Sequence, residues 1–183
     1  MYFRKIRTSI GKILLRSEWA GIRRQPKAFN LNQLSTILIL VEIRTQDDIE
    51  LVKKYINQLK DLQKKVRVIG WVDSAEAIEF NYSKIDFDLF NQKNLGTWMK
   101  PLGFLSENLA TDEPDLLLDL NVNDKFPLTY LGALSRAKFK VGKVSKANNA
   151  THDLTIEISS NNSIDYLYNQ AISFLKMINN LEK

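Results

Sequence analysis

Two hydrophobic periods alternate along most of this chain. Ser35 to Ile43 is a run dominated by β-branched residues and leucine, the pattern of a strand buried on both faces. From Asp47-Asp48 the period lengthens. Ile49, Leu51, Val52, Ile56, Leu59 and Leu62 form one apolar face, Lys60, Lys64 and Lys65 form a basic end, and together they predict a helix. Val66 to Val72 is the next strand and closes a βαβ unit, with its crossover expected to be right-handed. Asp115 to Leu120 predicts a third strand, Pro127 opens a helix through Arg136, and Ala137 to Val141 predicts a fourth strand. A fifth strand, Asp153 to Ile158, leads through an Asn161-Asn162-Ser163 turn to a helix over 164–181. Between these lies an irregular stretch, read as a strand near 77–80, a helical turn near 83–90 and a helix near 102–110. Strands alternating with helices predict an α/β fold: a Rossmann-like, doubly wound, mostly parallel sheet of about five strands.

The first 27 residues follow another pattern. On a helix, Phe3, Ile6, Ile10, Ile13 and Leu14 share one face, and Lys5, Lys12, Arg16 and Arg23 line a flanking stripe. Gly11 and Gly21 each weaken such a helix by about 1 kcal/mol, so it needs a docking surface, and Pro26 stops it. The chain therefore divides into a basic amphipathic helix over 1–27, a connector over 28–34 and an α/β body over 35–183.

Charge reinforces that division. Arg4, Lys5, Arg7, Lys12, Arg16, Arg23, Arg24 and Lys27 face a single acid in the head, Glu18, for a net of +7 there, whereas the whole chain carries +5. A cationic head on a nearly neutral body points to an anionic partner. With no cysteine, disulfides, thiolate metal sites and a cysteine nucleophile are excluded. The longest apolar run, Ile37 to Val41, falls far short of the roughly 20 residues that span a bilayer. Ile13-Leu14-Leu15 is too short for a secretory signal, although an Arg-rich, acid-poor start also describes a transit peptide. The Lys-, Asn- and Ile-rich body has a bacterial composition, and a cytoplasmic location is expected.

Candidate chemistry gathers where the strands end. In an open α/β sheet, ligands bind at the carboxyl edge, which places Arg44, Thr45, Asp73, Asn121, Asn123 and Lys143 around a possible pocket. The turn after the first strand, Ile43-Arg44-Thr45-Gln46-Asp47, has no glycine, and Gly11-Lys12 lacks the context of a P-loop, so nucleotide binding of either type is not expected. Asp112, Glu113, Asp115, Asp119 and Asp124 read as solvated or backbone-capping carboxylates rather than metal ligands, and neither a metal nor a cofactor is expected. His152, the one histidine, has no nucleophile motif near it and reads as a surface residue. Arg136, Lys138, Lys140, Lys143 and Lys146 make a second basic cluster. Lys138 and Lys140 share one strand face and read as protection of a sheet edge, with a phosphate-facing patch shared with the head as the alternative. Trp71 reads as core.

Residues 31–73, the segment Asn81 to Phe87 and the segment DLLLDLNVNDKFPLTYLGALSRAKFKVGKV (115–144) resemble an uncharacterised family of short Bacteroidota proteins. More remotely, Asp115 to Gly142 is similar to the acceptor half of heptosyltransferase-like GT-B glycosyltransferases, in which a buried strand, a helix and a further strand follow in that order. Those enzymes have a Gly-Asp turn after the first strand, where this chain reads Thr45-Gln46-Asp47, and a second sugar-nucleotide domain for which no counterpart is expected here. The resemblance thus implies a scaffold rather than a transferase. Three expectations follow: a non-enzymatic protein whose head contacts RNA or a ribonucleoprotein, with a protein partner for the body; the same head on an anionic membrane or membrane complex, without a transmembrane segment; or a degenerate sugar-phosphate site at the strand ends. The RNA reading leads, with Lys5, Lys12, Arg16 and Arg23 as its principal contacts.

Overall fold

The computed structural model of this protein describes residues 2–76, 79–103 and 112–178. Its strands are β1 (Thr36–Glu42), β2 (Lys65–Trp71), β3 (Phe87–Phe90), β4 (Leu116–Leu120), β5 (Phe139–Lys143) and β6 (Leu154–Ile156). All adjacent pairs are parallel and the order is β3-β2-β1-β4-β5-β6, the doubly wound Rossmann-like arrangement. The helices are α1 (Tyr2–Ala20), α2 (Gln46–Asp61), α3 (Phe126–Leu134), the single turn α4 (Asn148–Thr151) and α5 (Ile164–Met177).

Alternation along the central strands builds two cores. Ile37, Ile39 and Val41 of β1 and Leu116, Leu118 and Leu120 of β4 face α2 and α5, where Ile49, Val52, Ile56, Leu167 and Ala171 are buried. Leu38, Leu40 and Leu117 point to the opposite face and meet Leu128 and Leu131 of α3, Met99, and Leu15 of α1. Trp71 is fully buried on this second face, as expected. The starts of α2 and α5 are fixed by side chains. Thr45 accepts from the Asp48 amide while the Asp48 carboxylate takes the Thr45 and Arg44 amides, and Ser163 caps α5.

Several sequence expectations are corrected. Residues 87–90 form a strand, not part of a helical turn. Phe87 and Phe90 have helical spacing, but both are buried when the segment pairs with the free side of β2, and that pairing makes a sixth strand. Lys138 and Lys140 do not guard an edge, because β6 lies outside β5. Lys140 is fully buried beneath α3, with Nζ 2.9 and 3.0 Å from the Gly132 and Ala133 carbonyl oxygens, acceptors in the last turn of that helix. His152 is not a surface side chain. Its side chain is 1% exposed, with Nε2 3.3 Å from Oδ2 of fully buried Asp119, and among the described residues neither atom has a hydrogen-bond partner. Gly132 and Gly142 admit this pair: a Cβ on Gly142 would lie 3.2 Å from both Asp119 and His152. Of the irregular stretch, Glu79 and Phe80 are not in a strand and Leu102 and Gly103 are not in a helix, while 77–78 and 104–110 lie outside the described residues, as do 179–181 of the last expected helix.

Candidate functional site on the first helix and at the sheet mouth

The first helix lies along the body, and its docking face is rotated away from the face that hydrophobic periodicity suggested. Gly11 and Leu15 are buried, against the Trp98 carbonyl, the Phe126 ring and the core beneath. Glu18 reaches between Lys100 and the hydroxyl of Tyr130, which donates to its carboxylate. Burial pushes the Glu18 carboxyl up, but the bonds from Lys100 and Tyr130 outweigh it and hold its pKa below the ordinary range. The Tyr130 phenol is correspondingly raised, by burial first and then by Glu18.

Several cations of the head are tethers. At one end of α1, the Arg4 guanidinium lies 2.7 Å from Oδ1 of Asp73. One turn on, Arg7 donates to the carbonyls of Thr97 and Gly96. Beyond the other end, Arg24 grips Asp153 and Lys27 donates its amide to the Lys138 carbonyl at 3.0 Å, while the Lys27 ammonium stands 5.4 Å from the centre of the Phe29 ring. Lys5, Lys12, Arg16 and Arg23 are exposed, and no ion pair is described for any of them.

The rotation of the docking face leaves apolar side chains outside. Phe3 is 78% exposed, Ile13 65% and Ile6 48%, while Ile10 and Leu14 are partly covered. At 100° per residue, Phe3, Ile6 and Ile13 make one ribbon and Lys5, Lys12 and Arg16 a second, side by side on the half of α1 that faces away from the body.

At the mouth of the sheet the strand-end residues are brought to one edge but mostly satisfy each other. Lys125, after β4, bridges Oε1 of Glu42 at 3.1 Å and Oδ2 of Asp73 at 3.3 Å. Burial opposes the Lys125 charge, yet Glu42 and Asp73 outweigh it and raise its pKa. Glu42 is 2% exposed, and Asn123 donates to its other oxygen at 2.6 Å. Asn121 is buried and bonds the backbone of Lys125 and the Thr129 hydroxyl. Lys143 turns to the Val122 carbonyl and Asp124. Thr45 is consumed as a helix cap. Arg44 stands out, its side chain 59% exposed and 3.8 Å from Asp48, and with Asp73 it borders a cleft of about 340 Å³. The possible pocket of the sequence is therefore a set of interlocked residues with Arg44 at its rim.

Glu42 and Lys125, which hold this edge together, were not among the sequence candidates. The signal for Glu42 was present: an acid directly after five apolar residues in β1, at a strand end. Lys125 carried no such signal, because its place depends on the loop after β4. Among the acids of 112–124, Asp115 caps backbone as expected, its carboxylate taking the Ser35 and Thr36 amides, and no metal-holding cluster is found among the described residues.

The family model for the family of unknown function DUF6913 matches residues 7–178. The chain belongs to this family. The match takes in most of α1 as well as the sheet, so in DUF6913 the helix and the body form one matched unit. Neither the comparison with curated proteins nor that with solved structures gives a match. No helix among the described residues is long and apolar enough to cross a membrane.

Proposed function

We propose that this protein is a non-enzymatic docking module that rests on an anionic membrane surface through the outward half of α1. The observation that carries the reading is the pairing of two exposed ribbons on one helix: Phe3, Ile6 and Ile13 beside Lys5, Lys12 and Arg16. Apolar side chains enter the headgroup boundary while adjacent cations meet acidic lipid, so both ribbons are satisfied by one partner. Each apolar side chain contributes about 1.5–3 kcal/mol when fully buried. Each cation near an acidic leaflet adds about 1 kcal/mol. Three of each make attachment weak and reversible. The cytoplasmic face of a bacterial membrane is the setting this reading calls for.

The RNA reading draws on the same cations. It explains Lys5, Lys12, Arg16 and Arg23 but gives the apolar ribbon no task, since phosphate contacts need no apolar partner. The heptosyltransferase-like reading asks for a sugar phosphate at the sheet mouth, where Asn121, Asn123, Asp73 and Lys143 already bond within the protein.

Co-sedimentation with phosphatidylglycerol-containing and pure phosphatidylcholine vesicles separates these. Binding to the acidic vesicles alone, lost both in Phe3→Ser/Ile6→Ser/Ile13→Ser and in Lys5→Gln/Lys12→Gln/Arg16→Gln, is expected. Indifference to acidic lipid refutes the reading, as does RNA binding that needs the cations and ignores the apolar ribbon.

A further inference from the structure

The last turn of α3 covers a cluster of polar side chains in the interior: Lys140 and Asp119, both fully buried, and His152, whose side chain is equally enclosed. Parallel register sets Asp119 of β4 opposite Gly142 of β5, so Lys140, two residues before that glycine, points to the same face of the sheet as Asp119. Lys140 donates to the Gly132 and Ala133 carbonyls. Oδ1 of Asp119 accepts the Asn121 amide at 3.0 Å, while Oδ2 and the facing Nε2 of His152 have no hydrogen-bond partner among the described residues. A buried carboxylate with an open acceptor is costly unless a cation attends it. The cluster also reaches the segment that follows α1. Asp153, next to His152, accepts the Lys140 amide at 2.9 Å and grips Arg24. Arg24 in turn donates to the Ala137 and Lys138 carbonyls at 3.4 and 3.5 Å, on the stretch that leads from α3 into β5.

We infer that Lys140 is the sensor of a proton-driven switch that sets how firmly the segment after α1 is held to the body. Neutral Lys140 matches its two N–H bonds to the two carbonyls of α3. Proton uptake gives it a third N–H and a charge. Oδ2 of Asp119 is the open acceptor on the same face, and the ammonium turns toward it, slackening its hold on α3. The same charge repels Arg24 across Asp153, so the Arg24 fastening weakens. Burial, and then the charge of Arg24, lower the Lys140 pKa to about 7 against the attraction of Asp153 and Asp119, which puts the exchange near neutrality. Coupling is reciprocal: when Arg24 lets go, Lys140 holds its proton more tightly. The charged and titratable groups around Lys140 are Asp119 from β4, His152 at the end of α4, Asp153 ahead of β6 and Arg24 after α1. A protonated His152 competes with Lys140 for the same Asp119 oxygen. The switch does not depend on what the outward ribbons of α1 meet.

Two NMR measurements on the full chain test it. The Lys140 Cε signal, assigned by its loss in Lys140→Met, is expected to titrate near neutrality, and in Arg24→Gln to titrate at higher pH, because that variant removes the repulsion and frees Asp153. Amide shifts of residues 22–27 are expected to follow the same curve. Their protection, corrected for intrinsic exchange, should fall about fivefold or more from about pH 8 to about pH 6 with β1 and β4 still protected, and should ignore pH over that range in Lys140→Met. A Lys140 signal that does not titrate in this range overturns the inference, as does a midpoint in Arg24→Gln that is unchanged or lower. So does a response at residues 22–27 that persists in Lys140→Met and disappears in His152→Gln, which would assign the sensing to the imidazole.

Discussion

Arg24 holds Asp153 through two parallel bonds, Nη1 to Oδ2 at 2.7 Å and Nη2 to Oδ1 at 2.6 Å, and so fastens the end of the N-terminal segment to the strand that begins at Leu154. The paired fork is the stronger kind of ion pair, and Asp153 also accepts the Lys140 amide at 2.9 Å. Arg24→Gln is expected to lower stability by about 1–3 kcal/mol and to speed amide exchange from residue 20 to 27 more than in the central strands. Equal acceleration everywhere would show that the pair is part of the global fold rather than a fastening.

Gly11 is the point of closest approach between α1 and the body. A Cβ there would collide with the Trp98 carbonyl and stand 2.8 Å from the Phe126 ring. Alanine favours an isolated helix over glycine, so Gly11→Ala has opposite local and tertiary effects. The collision is with backbone and a packed ring, and the tertiary effect is expected to win, costing about 1–3 kcal/mol. Hydrogen exchange and limited proteolysis should show α1 released while β1 and β4 stay protected. Increased stability in this variant would mean that the helix does not seat as described.

Lys140 makes stability depend on pH in a defined direction. Burial, with Arg24 adding repulsion, lowers its pKa to about 7, against the opposing pull of Asp153 and Asp119. A neutral amine has two N–H bonds, which match the two carbonyls it meets. The unfolded chain binds this proton up to about pH 10 and the folded chain releases it near neutrality, so stability rises with pH between those limits, and the loss on acidification is complete by about pH 7. Lys140→Met is expected to flatten the rise and to raise stability at pH 6 by a few kcal/mol. Urea titrations across this range measure it; an unchanged pH slope in Lys140→Met would assign the slope to other groups.

Asp73 responds to acid in the opposite sense. Burial raises its pKa, but Arg4, Gln92 and Lys125 together hold it below the ordinary 3.8. The contribution is therefore complete above that value and is lost as pH falls through the lowered one. Arg4 is 46% exposed, which limits the contribution to about 1 kcal/mol or less. Exchange at residues 2–8 should rise on acidification before the sheet unfolds, and Asp73→Asn should show that rise already at neutral pH.

The buried strands were readable because a parallel sheet covered on both faces demands continuous apolar runs, and TILILVE and LLLDL meet that demand without help from context. FDLF did not, since four residues with apolar ends fit either period and only the free side of β2 decides. The helix over the first residues was legible in kind but not in orientation. Its apolar moment marks Phe3, Ile6 and Ile13, yet the body recruits Gly11 and Leu15, because close approach favours the absence of a side chain, which a hydrophobic scale cannot register. Lys140 and His152 were misread for a related reason: polar residues become interior when one neighbouring element offers carbonyls and another a carboxylate, and those partners lie far away in the fold rather than beside them in sequence.

The membrane reading is tested most directly at Ile13. With no cysteine in the chain, Ile13→Cys carries a single environment-sensitive fluorophore on an exposed position of the apolar ribbon, and Asn149→Cys, also exposed, reports from the body. On acidic vesicles the label at 13 is expected to shift to the blue and gain intensity while the label at 149 does not change, with no response to neutral vesicles. A label at 13 that stays fully hydrated on acidic vesicles would contradict the account.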